Sequence, residues 1–152
     1  MIESHDYQVA ITGTGPKTGR LESTGDGLAP MEFASPPEFG GPEKTWSPEH
    51  LFVASVAGCL MTTFQAIAAN SGIEVLEYTD DATGHLQRGD DRRYSIDRIT
   101  LRPTVVISAD SNPDKTYRLL EKAEEACLIG RSIVSERILE PTVLQGSASR
   151  VA

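Results

Sequence analysis

Between Leu51 and Met61 the chain reads Leu51-Phe52-Val53-Ala54-Ser55-Val56-Ala57-Gly58-Cys59-Leu60-Met61. A helix on the surface of a globular protein carries a wide polar stripe, and this stretch has almost none. Its ends are marked. Ser47 is placed as an N-cap, and Pro48 stands at the first helical position, where its missing N–H costs nothing. Asn70-Ser71-Gly72 is a stop signal. The pattern predicts a helix from about Pro48 to Asn70, central in the fold and buried on most sides. One face would lie on a sheet and the other on something else, and Ala54, Ala57 and Gly58 permit another backbone to come close.

The rest of the chain is arranged around that helix. Residues 7–13 alternate Tyr7, Val9 and Ile11 with polar and small residues, as a strand does. Thr14-Gly15-Pro16-Lys17-Thr18-Gly19 is a turn, and strands are expected over Arg20–Thr24 and Met31–Phe33. Ser35 to Pro42 is a loop with room for one short helical turn. After the helix, Ile73–Leu86 reads as a strand weak at Asp80-Asp81, with Tyr94–Ser108 as its hairpin partner. The apolar phase changes between Ile96 and Ile99, which predicts a bulge near Asp97-Arg98. Pro103 should sit where no ladder bond is needed. Asn112-Pro113 opens a second helix whose apolar side is Leu119, Leu120, Ala123, Ala126 and Cys127. A short helix over Gly130–Arg137 and a last strand over Ile138–Leu144, interrupted at Pro141, complete the order. Segregated strands and helices of this kind indicate an α+β fold, an antiparallel meander and hairpin around a long helix. The length of 152 residues suggests a single domain, 1–152.

Composition narrows the function classes. A net charge of −8 disfavours a nucleic-acid surface, which needs clustered Lys and Arg, and equally an anionic membrane surface. No apolar run is read as long enough for a membrane span. The start lacks the basic and apolar regions of a signal peptide, so the expected location is the cytoplasm. Two cysteines do not make a secreted disulfide scaffold; in a reducing compartment such a pair is usually transient and catalytic.

Cys59 lies mid-helix in the most apolar stretch, and Cys127 at the end of the second helix. Both can be read as small buried hydrophobes. A chemical role requires the thiolate. A mid-helix cysteine gains nothing from a helix N-terminus, and burial alone raises its pKa. A cation from elsewhere in the fold is therefore expected, with Arg20, Lys17 and Arg131 as candidates. Glu49 precedes Cys59 by ten residues, about 15 Å along the axis at about 1.5 Å per residue. A straight helix cannot bring the two together, whereas a second copy of the helix, antiparallel about a two-fold axis, could bring Glu49 of one chain toward Cys59 of the other. Otherwise Glu49 is a favourable first-turn charge. His5, His50 and His85 are isolated, so no metal site is expected, and no nucleotide-binding loop or serine elbow is present.

Ser47-Pro48-Glu49-His50-Leu51-Phe52 followed by Ala57-Gly58-Cys59 resembles the OsmC/Ohr family, the osmotically inducible and organic hydroperoxide resistance proteins. The meander with Gly19-Arg20 and Asp26-Gly27, the loop Pro37-Glu38-Phe39-Gly40-Gly41, and a second cysteine in a later helix agree with it. The resemblance covers nearly the whole chain in order. It implies an OsmC-like fold in an intertwined homodimer, with Cys59 peroxidatic, Cys127 resolving, and Glu49 and an arginine, here Arg20, activating the thiolate. It implies no cofactor, an organic hydroperoxide as substrate and a dithiol or lipoylated protein as reductant. Two departures stand: Leu128 follows Cys127 where the family usually has proline, and the arginine position can be aligned with Lys17 as well as Arg20. The branch, Ohr, OsmC or a third, stays open. The expected chemistry is reduction of hydroperoxides through a Cys59 sulfenate and a Cys59–Cys127 disulfide. The alternative is a non-enzymatic dimer of the same fold that binds a small apolar ligand and buries inert cysteines.

Overall fold

The computed structural model describes residues 3–146. The chain forms two compact units, Met1–Leu51 and Phe52–Ala152.

The first unit is a three-stranded antiparallel sheet of β1 (Val9–Gly15), β2 (Thr18–Ser23) and β3 (Met31–Ala34), in the order β1-β2-β3. Lys17 makes the tight β1–β2 turn with φ of 61°. Its Nζ donates to the Phe39 carbonyl at 2.5 Å, which ties the turn to a single 3-10 turn at Pro37–Phe39. The sheet hides little apolar surface of its own. Tyr7, Val9, Ile11, Leu28, Met31, Phe39 and Trp46 are all exposed in the single chain.

Helix α1 (Pro48–Asn70) has the bounds its sequence predicts. The buried Ser47 hydroxyl accepts from the His50 amide at 3.3 Å, as an N-cap does. Trp46 meets the His50 ring edge-on at 5.9 Å and stays exposed, so it is only a partial staple. In the single chain α1 fully buries one stripe, Val56, Leu60, Phe64 and Ala68. Composition predicts burial on most sides, yet Ala54, Ser55, Thr62, Gln65, Ala66 and Ala69 face outward and an added Cβ at Gly58 would meet open space. The helix is also long and apolar enough, by length and composition, to cross a membrane, which the sequence reading did not expect. Its buried stripe belongs to the hydrophobic core of the second unit, together with Ile99, Leu101, Val105, Ile107, Leu119, Leu120 and Ala123.

The long hairpin expected over residues 73–108 is broken into two sheets. β4 (Val75–Asp80) pairs with β7 (Pro103–Ile107), whereas β5 (Thr83–Arg88) pairs with β6 (Tyr94–Leu101). The bulge predicted near Asp97 is present: His85 pairs with Arg98 and Leu86 with Ile96. The last expected strand divides at Pro141 into β8 (Glu136–Leu139) and β9 (Thr142–Gln145), which join β6 and β7 in parallel. Parallel pairing needs a crossover, and α2 (Pro113–Ala126) is part of it, capped by Asn112 accepting from the Lys115 amide at 2.9 Å. Arg102 holds the level at which the strands change sheet. Its N–H donates to Asp80 at 2.8 Å, its Nε to Glu140 at 3.0 Å, and its Nη1 to the Thr83 hydroxyl at 3.0 Å. Pro103 starts its strand just beyond this break. The short helix expected over 130–137 shrinks to a 3-10 turn, Gly130–Ser132.

Candidate functional site

The fold places the two cysteines together. Cys59 projects half-buried from the middle of α1, and Cys127, 2% exposed, ends α2. Each thiol acts on the other's ionisation: Cys127 lowers Cys59, and Cys59 raises Cys127. Thr63, one turn after Cys59, brings its hydroxyl to 4.0 Å from the Cys59 sulfur.

The chain beyond α2 is folded so that its amides point at sulfur. The Gly130 N–H donates to Cys127 Sγ at 3.4 Å. The backbone amides of Ile129 and Leu128 favour the ionised form of Cys59. The carbonyls of the same segment are occupied elsewhere. Cys127 O accepts from the Arg131 amide at 2.9 Å, Leu128 O from the Ser132 hydroxyl at 2.8 Å, and Ile129 O from the Ser132 amide at 3.0 Å. Gly130 O accepts from Arg137 Nη1 at 2.5 Å. Successive amides converging in a turn make a concavity suited to negative charge.

The two thiols consequently differ. Burial pushes Cys59 up, but the Ile129 amide, the Cys127 thiol, the Thr63 hydroxyl and the Leu128 amide outweigh it, and Cys59 lies below its ordinary value. Burial pushes Cys127 up, and its neighbour Cys59 pushes it further; the Gly130 and Ile129 amides only partly oppose this. Cys59 therefore ionises first, with Cys127 protonated beside it. The sequence predicts a cation for this task, whereas the groups that lower Cys59 are neutral dipoles. Thr63 was legible at four residues from Cys59, where helical side chains meet. The amide donors leave no trace in residue type.

The other predicted residues are less committed to this centre. Arg20, on β2, pairs with Glu22 at 2.9 Å and Glu32 at 3.2 Å. Lys17 is engaged by the Phe39 carbonyl. Glu49 stands in the first turn of α1, and its Oε2 is buried with no hydrogen-bond partner among the described residues. No cluster of three or more metal-ligating side chains exists among the described residues. A cleft of about 300 Å3 lies between the C-terminal half of α1 and β4, lined by Gln65, Ala69, Ile73, Val75 and Tyr78 among others. Neither cysteine lines it.

A long helix over small sheets, with a parallel edge strand on each of two of them, defines an α+β protein of the OsmC-like class. The OsmC-like protein family matches residues 41–139, and the chain belongs to that family. No curated protein matches it. An OsmC-like protein of unknown function from Vibrio cholerae has a similar structure, with a TM-score of 0.83 at 26% identity over 91% of this chain and 99% of that one. An organic hydroperoxide resistance protein from Elizabethkingia anophelis aligns with a TM-score of 0.73 at 20% identity, covering 95% of this chain and 100% of that one. One from Legionella pneumophila, described as a predicted redox protein, aligns at 0.69 and 23% identity over 93% and 99%. The latter two likenesses are of fold.

Proposed function

We propose that the chain is a thiol peroxidase that reduces organic hydroperoxides. The observation that carries this reading is the unequal cysteine pair: half-buried Cys59 with the Thr63 hydroxyl 4.0 Å from its sulfur, and buried Cys127 whose sulfur accepts from the Gly130 amide at 3.4 Å, an arrangement that lowers the first thiol and raises the second. The Cys59 thiolate attacks the distal oxygen of ROOH. The O–O bond breaks, an S–O bond forms, and the alkoxide leaves as alcohol after taking a proton. Cys59 is then a sulfenic acid. The Cys127 sulfur attacks it, the S–S bond forms, and water leaves with the Cys127 proton. A dithiol restores both thiols by exchange and is itself oxidised to a disulfide. Membership of a family whose structural neighbours include hydroperoxide resistance proteins supports the substrate class.

The working form in this reading is a homodimer. A second copy would cover the outward face of α1 and the apolar residues of the first sheet, since a small sheet with no buried apolar face is not stable alone. It would also supply surroundings for the Glu49 oxygen, with Arg20 the proposed cationic partner of that carboxylate in the assembly. Turnover of cumene hydroperoxide with dithiothreitol or dihydrolipoamide tests the activity. The purified protein should turn over and Cys59→Ser should not; equal rates for the two would end the proposal.

A further inference from the structure

Arg137 lies on β8, outside the cysteine pair, and its side chain reaches the amide segment from another element. Its Nη1 donates to Gly130 O at 2.5 Å while its Nε is paired with the Glu124 carboxylate on the last turn of α2. Both side chains are largely buried, 23% and 19% exposed. Glu124 also leads directly into the segment, because its carbonyl accepts from the Cys127 amide at 3.3 Å. The guanidinium thus links the helix that ends in Cys127 to the carbonyl side of Gly130, the residue whose own N–H, in the preceding peptide, sits on the Cys127 sulfur. The three other carbonyls of the segment are satisfied locally, by Arg131 and Ser132. Gly130 O alone depends on a distant residue. A buried carbonyl without a partner costs about 1–3 kcal/mol, so losing Arg137 would turn this peptide toward other donors and carry its neighbouring amides away from sulfur. The guanidinium fits because its planar fork serves two acceptors at once, which an ammonium on a flexible stem does not reproduce.

We propose that Arg137, anchored by Glu124, is a positioning residue that holds the amides of residues 128–130 on the two cysteines through the Gly130 carbonyl. The inference rests on the cysteine pair being chemically active, but its test needs no peroxide. The ultraviolet absorbance of the Cys59 thiolate is titrated in Cys127→Ser protein, so that one thiol is read, with and without Arg137→Gln. Circular dichroism selects variants that keep the native spectrum, and Glu124→Gln serves as the second variant. Either substitution should move the Cys59 midpoint upward by about one unit, which is about a tenfold smaller thiolate fraction well below the midpoint. Arg137→Lys, which keeps the charge, should show the same rise. An unmoved midpoint in folded Arg137→Gln and Glu124→Gln overturns the proposal. So does full restoration by lysine, which would assign the effect to charge alone. A shifted midpoint in a protein that turns over no peroxide would leave the positioning role standing and remove only the peroxidase reading.

Discussion

Gly130→Ala sets two effects of opposite sign against each other. Gly130 lies in a 3-10 turn, a conformation open to alanine. In such a place the exchange normally stabilises by about 0.4–1 kcal/mol, because the unfolded chain has fewer states to lose. Here the added Cβ would stand 3.0 Å from Arg137 Nε, 3.2 Å from its Cδ and 3.4 Å from its Cζ. The guanidinium cannot swing aside without leaving Glu124 or the Gly130 carbonyl. Overpacking of a tight site costs about 1–3 kcal/mol, and weakening a hydrogen bond to a charged group takes part of its roughly 1.5–3 kcal/mol. The balance is a loss of about 1 kcal/mol, which lowers Tm by about 2–4 °C in a chain of this size. Thermal unfolding followed by circular dichroism measures it. In an Arg137→Ala background the short contacts are gone, and the same Gly130→Ala change should raise Tm instead. The sign reversal is a double-mutant coupling between neighbours. A rise in Tm in the wild-type background would refute the claim that Arg137 is fixed against this peptide.

Cys127→Ala removes a thiol that lowers Cys59, so the midpoint of Cys59 alkylation should rise. Excess hydroperoxide should then carry Cys59 past the sulfenic acid to the sulfinic acid, seen by mass spectrometry as two added oxygens. Asp80 is raised, first by burial and then by Asp81, against the Arg102 amide and charge. A carboxyl whose folded pKa lies above its unfolded value binds its proton more tightly when folded. Stability is therefore lost as pH rises from the unfolded pKa of about 3.9 through the folded value. Asp80→Asn, which can keep the acceptor for the Arg102 amide, should abolish that loss and stabilise by a few tenths to about 1 kcal/mol at neutral pH, the group being partly solvated. Urea melts at several pH values check it.

The sequence declared α1 at both ends because Ser47-Pro48 and Asn70-Ser71-Gly72 are local signals, and the Asp97 bulge because a period-2 pattern shows a phase change directly. The break of the long hairpin into two sheets was harder to see. Asp80-Asp81 signalled weakness, but the switch of sheet is fixed by Arg102 reaching Asp80, Glu140 and Thr83, contacts between residues far apart in the chain. The parallel placement of β8 and β9 depends on the crossover and is likewise nonlocal. The outward face of α1 is apolar in sequence but not buried in one chain, because side-chain chemistry states a need for cover without stating whose surface supplies it. At the site, Cys59 and Cys127 were legible through the family resemblance. The backbone amides beside them were not, since such amides belong to every residue and only the turn after α2 aims them.

The central claim is that Cys59 and Cys127 act as one redox pair, and counting thiols after a single equivalent of cumene hydroperoxide tests it most directly. Both thiols should disappear together, and peptide mapping should recover one Cys59–Cys127 disulfide within a chain that dithiothreitol returns to two free thiols. Two thiols still free after native exposure to peroxide, with both reactive only in denaturant, would contradict it and leave the cysteines as core residues.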